Sequence, residues 1–231
     1  MNFHAFTFAG ASLHAYGSGG LFWPQEKMLI ISDLHLGKSE RIARRSGQLL
    51  PPYETRETLA QLDALISALA PRQVVCLGDS FDDLQAGQQL PAEDKQALTQ
   101  MMAGRDWIWI EGNHDPGPPG FGGTHLAELT KAPLTLRHIA QNGTRGEISG
   151  HYHPKTSLFL RGRHVSRPCF LVSNAQLIMP AFGTYTGGLR LDDPAFDRVK
   201  DAQSYAIITG PMPCAVPIKG VRSSREAVGL G

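Results

Sequence analysis

The chain has 231 residues, 42% of them hydrophobic and 19% charged, the ordinary balance of a soluble globular protein long enough to bury a substantial core. A net charge of +1 selects no partner by itself. No stretch has the apolar length of a membrane span, the opening MNFHAFTF lacks the basic-then-apolar order of a signal peptide, and three scattered cysteines without CxxC spacing fit a reducing cytoplasm.

In chain order, residues 2–24 read as short strands joined by the Gly17–Gly20 turn, with Pro24 at a strand exit. The apolar run MLII follows and ends at Asp33-Leu34-His35. From Thr55 to Leu69, Leu59, Leu62, Leu65, Ile66 and Leu69 recur at helical spacing, which predicts a crossover helix into the run VVCL. VVCL ends at Gly78-Asp79, and Cys76 within it is a small buried thiol. A second helix is predicted over Ala92–Ala103, then the run WIWI, ending at Gly112-Asn113-His114-Asp115. This alternation implies a largely parallel sheet in the first half. After residue 133 closely spaced strand candidates (LFL, CFLV, QLIMP, YAIIT) suggest a second, more antiparallel sheet. PLTL leads to His138, and Glu147-Ile148-Ser149 to Gly150-His151-Tyr152-His153. Residues 1–218 read as a single domain and 219–231 as a mobile polar tail.

Five polar clusters thus sit at strand ends, where ligands of α/β folds bind. Nitrogen and oxygen donors without cysteine make a site for hard or borderline divalent metals. Asp33 and His35 are two apart, so in an extended backbone both side chains share a face, and His151 and His153 have the same spacing. Asp79, with two carboxylate oxygens, is the natural bridge between two ions ~3.5–4 Å apart that polarise a phosphoryl group and activate a shared water. An adjacent asparagine and histidine do not readily ligate one ion together, so one of Asn113 and His114 is expected to face the substrate. Single histidines such as His4, His14 and His164 read as surface or satisfied core residues. His125, after GFGGTH and at the start of an apparent helix, competes with His138, which ends a strand-like run.

The order DLH…GD…GNHD…H…GHYH resembles the calcineurin-like metallophosphoesterases, with Asp82 at the second aspartate of their G-D-x-x-D element. The resemblance implies an α/β, four-layer αββα sandwich, two mixed β-sheets face to face and flanked by helices. It further implies that Asp33, His35, Asp79 and His153 hold one metal, and Asp79, Asn113, His138 and His151 the other. His114 would then be a general acid or transition-state stabiliser, oriented by Asp115. In one departure Ile139, not the common glycine, follows His138.

The stretches DLHLGKSERIARRSGQLLPPYETRETL, CLGDSFDD, WIWIEGNHDP, GEISGHYHP, RPCFLVSN and MPAFGTYTGGL are similar to the ligase-associated metallophosphoesterases. That resemblance implies a phosphodiesterase or endonuclease acting on DNA, associated with a DNA ligase and helicase repair system and active with Mn²⁺, though the donors also suit iron or zinc. Lys38, Arg41, Arg44 and Arg45 are the candidate phosphate-binding residues, the three arginines sharing one face if the segment is helical. Arg161, Arg163 and Arg167 form a possible second patch, and Tyr152 and Tyr185 read as packing or rim aromatics before base-stacking ones. The alternatives are a small-molecule phosphohydrolase acting on a nucleotide or nucleotide-linked substrate and a non-catalytic repair scaffold. The short insertion between Asp79 and Asn113 argues against an apolar cap, and the complete donor set against a scaffold.

Overall fold

A computed structural model describes residues 1–39, 41–42, 53–117, 120–160 and 162–218. The first sheet takes its strands in chain order: β1 (Phe3–Phe8), β2 (Ala11–Tyr16), β3 (Leu21–Trp23), β4 (Met28–Ile31), β5 (Gln73–Cys76), β6 (Asp106–Ile110) and β7 (Thr124–Leu126). β1 to β4 form an antiparallel meander, because the connections are tight turns. β4 to β7 pair in parallel. The first two crossovers are helical: α1 (Tyr53–Leu69) joins β4 to β5, and α2 (Leu84–Gln89) with α3 (Ala92–Met102) joins β5 to β6.

The second sheet contains β8 (Glu128–Lys131), β9 (Leu134–Arg137), β10 (Glu147–Ser149), β11 (Lys155–Leu160), β12 (Arg163–Val172), β13 (Gln176–Ile178), β14 (Tyr205–Ile208) and β15 (Cys214–Pro217). Their order is β15-β14-β12-β13-β10-β9-β8, with β11 paired to β12. The sheet is mixed: β9, β10 and β13 run parallel, and the other pairings are antiparallel.

The period of two along β4 explains why MLII is apolar throughout. Met28 and Ile30 point between the sheets, where they meet Leu134, Leu136, Ile148, Phe170 and Leu177. Leu29 and Ile31 point outward, onto Leu59, Leu62, Leu65 and Ile66 of α1. A strand covered on both faces has no polar side to show. The outer face of the second sheet (Cys169, Leu171, Ile178, Ala206) is closed by Leu191, Phe196 and Val199, around the short 3-10 turn Pro194–Phe196. The fourth layer of the sandwich is therefore thin.

Three details differ from the sequence reading. α1 begins two residues earlier than the periodicity indicated, and α2 was unforeseen. Its six residues, LQAGQQ, carry no amphipathic period; the Asp83 side chain starts it by accepting from the Ala86 amide. The apparent helix start at His125 is instead strand β7, since Thr124–Leu126 adds in parallel to the edge of β6. The tail 219–231 lies outside the described residues.

Candidate metal centre

β4 and β5 stop at Ile31 and Cys76, but their parallel pairing continues through the loops beyond them. The amides of Asp33, His35 and Leu36 donate to the carbonyls of Gly78, Asp79 and Ser80 at 3.3, 2.9 and 3.0 Å, and Leu36 bridges Phe81. The first two sequence motifs are therefore zipped side by side. β10 arrives from the other sheet, and Gly150 touches them: a Cβ there would lie 1.8 Å from Ser32 Oγ and 2.4 Å from Asp33 Oδ2. Only a residue without a side chain lets the two sheet edges come this close.

The paired residues are not on extended backbone. Asp33, His35, Asp79, His151 and His153 all have positive φ, between 46° and 70°. The expectation that each Asp-x-His or His-x-His pair shares a face of a strand is corrected here: the pairs lie in turns past the strand ends. Each such conformation costs a non-glycine residue about 1–3 kcal/mol and persists where the surroundings over-determine it.

Two donor groups result. Asp33, His35 and His153 place ligand atoms within 4.8 Å of one another, as do Asp79, His138 and His151. In the first, fully buried Asp33 accepts from Ser32 Oγ at 2.5 Å and from the His151 amide at 3.0 Å. Burial works to raise its pKa, but the adjoining His153 imidazole, with the charge of His138, leaves it below the usual carboxylate range. His153 Nε2 lies 3.1 Å from Asp33 Oδ1, yet it is buried without a well-formed hydrogen bond. In the second group, His138 Nδ1 donates to the Leu77 carbonyl at 2.8 Å, which turns Nε2 inward. Around that nitrogen stand Asn113 Oδ1 at 2.9 Å, His151 Nδ1 at 3.2 Å and Asp79 Oδ2 at 3.4 Å. Against the pull of burial, hydrogen bonds from His138 and the His114 amide hold Asp79 down at about 2.

These donors fit divalent metals. A ring whose Nδ1 proton is fixed by a carbonyl presents Nε2 as a ligand, the usual support for metal-binding histidine. The Nε2 of His153, 3.1 Å from the ionised Asp33, is a second candidate ligand atom. A third grouping, His35, Asp82 and His114, also falls within 4.8 Å. In it Asp82 Oδ1 meets His35 Nδ1 at 3.1 Å while Oδ2 is ion-paired with Arg41 Nε. Burial raises the Asp82 pKa less than His35 and Arg41 lower it, so it stays ionised.

Two predicted roles need correction. Asp115 does not orient His114. Its carboxylate accepts from the amides of Asp79, Ser80 and Phe81 at 2.9, 2.8 and 3.1 Å, and burial with the neighbouring Asp79 charge pushes its pKa up to about 6. The His114 ring is held by the Asp82 carbonyl, which accepts from Nδ1 at 2.9 Å, leaving Nε2 4.0 Å from Asp79 Oδ2. Asp82, named in the sequence only as a motif position, thus supports both histidines; its G-D-x-x-D spacing was the available signal. Nor is Arg41 a free phosphate grip, since its guanidinium faces Asp82. Lys38 Nζ donates to the Tyr185 carbonyl at 3.1 Å. Arg44, Arg45 and Arg161 lie outside the described residues, and Arg167 is exposed on β12. His125, on β7, is in none of the donor groups found among the described residues.

Joined strand ends of two packed sheets, carrying clustered carboxylates and imidazoles, define a metal-dependent hydrolase site. Comparison with known proteins specifies the class. Residues 26–170 match the calcineurin-like phosphoesterase model, and the chain belongs to that family. It is a metal-dependent phosphoesterase that uses divalent metals. No curated protein matched the sequence. Among solved structures, the crystal structure of Pseudomonas putida nuclease MPE is similar, with a TM-score of 0.75 and 27% identity over 92% of this chain and 100% of that one. Among the described residues no helix is long and apolar enough to cross a membrane.

Proposed function

We propose that this phosphoesterase is a DNA-cleaving phosphodiesterase that works with two manganese ions. The observation that carries the reading is the pair of donor groups meeting at the ends of β4, β5 and β10. Asp33, His35 and His153 would hold one ion, Asn113, His138 and His151 the other, with Asp79 shared. When bound, such a pair polarises a phosphoryl group, activates water and steadies the departing oxygen. His114 keeps its Nδ1 proton on the Asp82 carbonyl, so Nε2 is the atom that carries a proton to the leaving oxygen. Asp115 keeps the 79–81 turn in shape by holding its three amides.

The choice of DNA is supported by the nuclease named among the similar structures and by the resemblance to ligase-associated enzymes. It is also supported by Arg44 and Arg45, which follow the first motif in sequence. The segment between Asp79 and Asn113 is largely occupied by α2 and α3, and α3 packs on the outer face of the first sheet, so it supplies no large apolar cap for a lipid-linked substrate. A cytoplasmic setting alongside a ligase and helicase follows from the same resemblance and agrees with the three free cysteines. The test is a salt-titrated activity screen with manganese on single-stranded DNA, duplex DNA, cyclic nucleotides and an aryl phosphodiester. Cleavage of DNA that weakens steeply with salt supports the reading, because phosphate contacts release counterions. Turnover of only the small substrates, indifferent to salt, overturns it in favour of a small-molecule phosphohydrolase.

A further inference from the structure

The loop Gly183-Thr184-Tyr185-Thr186-Gly187-Gly188 is clamped at both ends against ligand-bearing backbone of the first donor group. At its root the Gly183 amide donates to the Asp33 carbonyl at 3.1 Å, and a Cβ on Gly183 would lie 2.1 Å from the Leu34 carbonyl oxygen. At its far end a Cβ on Gly188 would lie 2.3 Å from the His153 carbonyl oxygen. Between these points the loop is tied down. Lys38 and Lys155 ammonium groups donate to the carbonyls of Tyr185 and Thr186 at 3.1 and 3.2 Å. Thr184 bonds Thr58 Oγ1 through its amide at 3.0 Å and the Glu54 carbonyl through its hydroxyl at 2.9 Å.

At the tip of this fixed loop stands Tyr185, 75% exposed, at φ +56°. A bulky side chain is disfavoured in that conformation, where glycine or asparagine sits freely. The ring makes no aromatic contact among the described residues, unlike Tyr152, which packs on Phe196 and His151. Packing therefore gives no reason for a tyrosine here. Beside it lies a groove of about 350 Å³ whose lining includes Ser18, Glu57, Thr184, Thr186 and Thr209 and, among the described residues, no cationic side chain. Hydroxyls and a carboxylate suit the hydrogen-bonding edge of a nucleobase and not a phosphate.

We propose that Tyr185 is a stacking platform for a nucleobase flanking the phosphodiester at the metal centre. This deepens the nucleic-acid reading above and rests on it. The test uses the full chain loaded with manganese and two single strands of equal length, one normal and one built of abasic residues carrying the same phosphates. Tyr185→Ala is expected to raise KM for the normal strand about five- to a hundredfold, the range for loss of one base–aromatic stack, and to leave the abasic strand unaffected. Tyr185→Phe is expected to restore KM. Tyr185→Gly is expected to share the KM defect while melting no lower than the wild type, because glycine accepts the left-handed backbone. Unchanged KM in Tyr185→Ala, equal losses on both strands, failure of phenylalanine to rescue, or a lower melting temperature in Tyr185→Gly would each overturn the proposal. If the wild type cleaves neither strand, it is the nucleic-acid reading that fails.

Discussion

A carboxylate has lone pairs to serve more than one partner, and Asp79 uses its two oxygens in different directions. Oδ1 accepts the His114 amide at 2.9 Å, while Oδ2 faces His138 Nε2 at 3.4 Å. Asp79→Asn removes a negative charge from the position assigned between two dications and is expected to lose at least one metal. Elemental analysis showing full two-metal occupancy with normal turnover would rule out the bridge. His114→Ala is expected to keep both ions and to slow turnover by about 10²–10⁴, most for poor leaving groups, whose developing charge needs the proton. A loss equal across leaving groups would leave electrostatic stabilisation as its role. Asp82 joins the metal-facing His35 to Arg41, and Asp82→Asn keeps its shape but not its charge. Metal affinity is expected to fall about 10–100-fold, as for other outer partners of ligand histidines. An unchanged affinity in a metal-competition titration would show that His35 needs no such support.

At the scale of elements, the end of β10 is set by how near it comes to the end of β4. Gly150→Ala would drive a methyl into Ser32 Oγ and Asp33 Oδ2, both part of buried residues that have little room to give. The variant is expected to bind metal weakly at the Asp33 group and to melt below the wild type; a wild-type melting curve and full occupancy would contradict the close approach. The strands and helices around this point were largely readable. MLII, VVCL and WIWI are buried on both faces, so their apolar runs are continuous, and the α1 stripe Leu59, Leu62, Leu65, Ile66 is a clean helical period. What escaped reading depends on long-range partners. Asp-x-His spacing looks extended until the loop is seen pairing with residues 78–80, with positive φ at Asp33 and His35. Arg41 looks like a phosphate ligand until Asp82, 41 positions away, is placed beside it. Asp115 follows His114 in sequence, but the 79–81 turn supplies three amides to its carboxylate and leaves His114 to a carbonyl. Strand β7 owes its state to the open edge of β6, and no local pattern records that.

For the whole molecule, one apolar core between the sheets fixes the relation of the two donor groups. Residues of both sheets, among them Met28, Ile30, Val75, Leu136, Ile148 and Leu177, are fully buried in it, and the site lies where parallel strands of both sheets end. The donors therefore belong to the folded state, and ions that bind only that state should raise its stability with concentration. The most direct test of the two-ion account is a manganese titration of the metal-stripped full chain, following hydrolysis of an aryl phosphodiester. Activity is expected to be absent without metal and to rise until two ions are bound per chain. Full activity in the stripped protein, or saturation at a single ion, would contradict it.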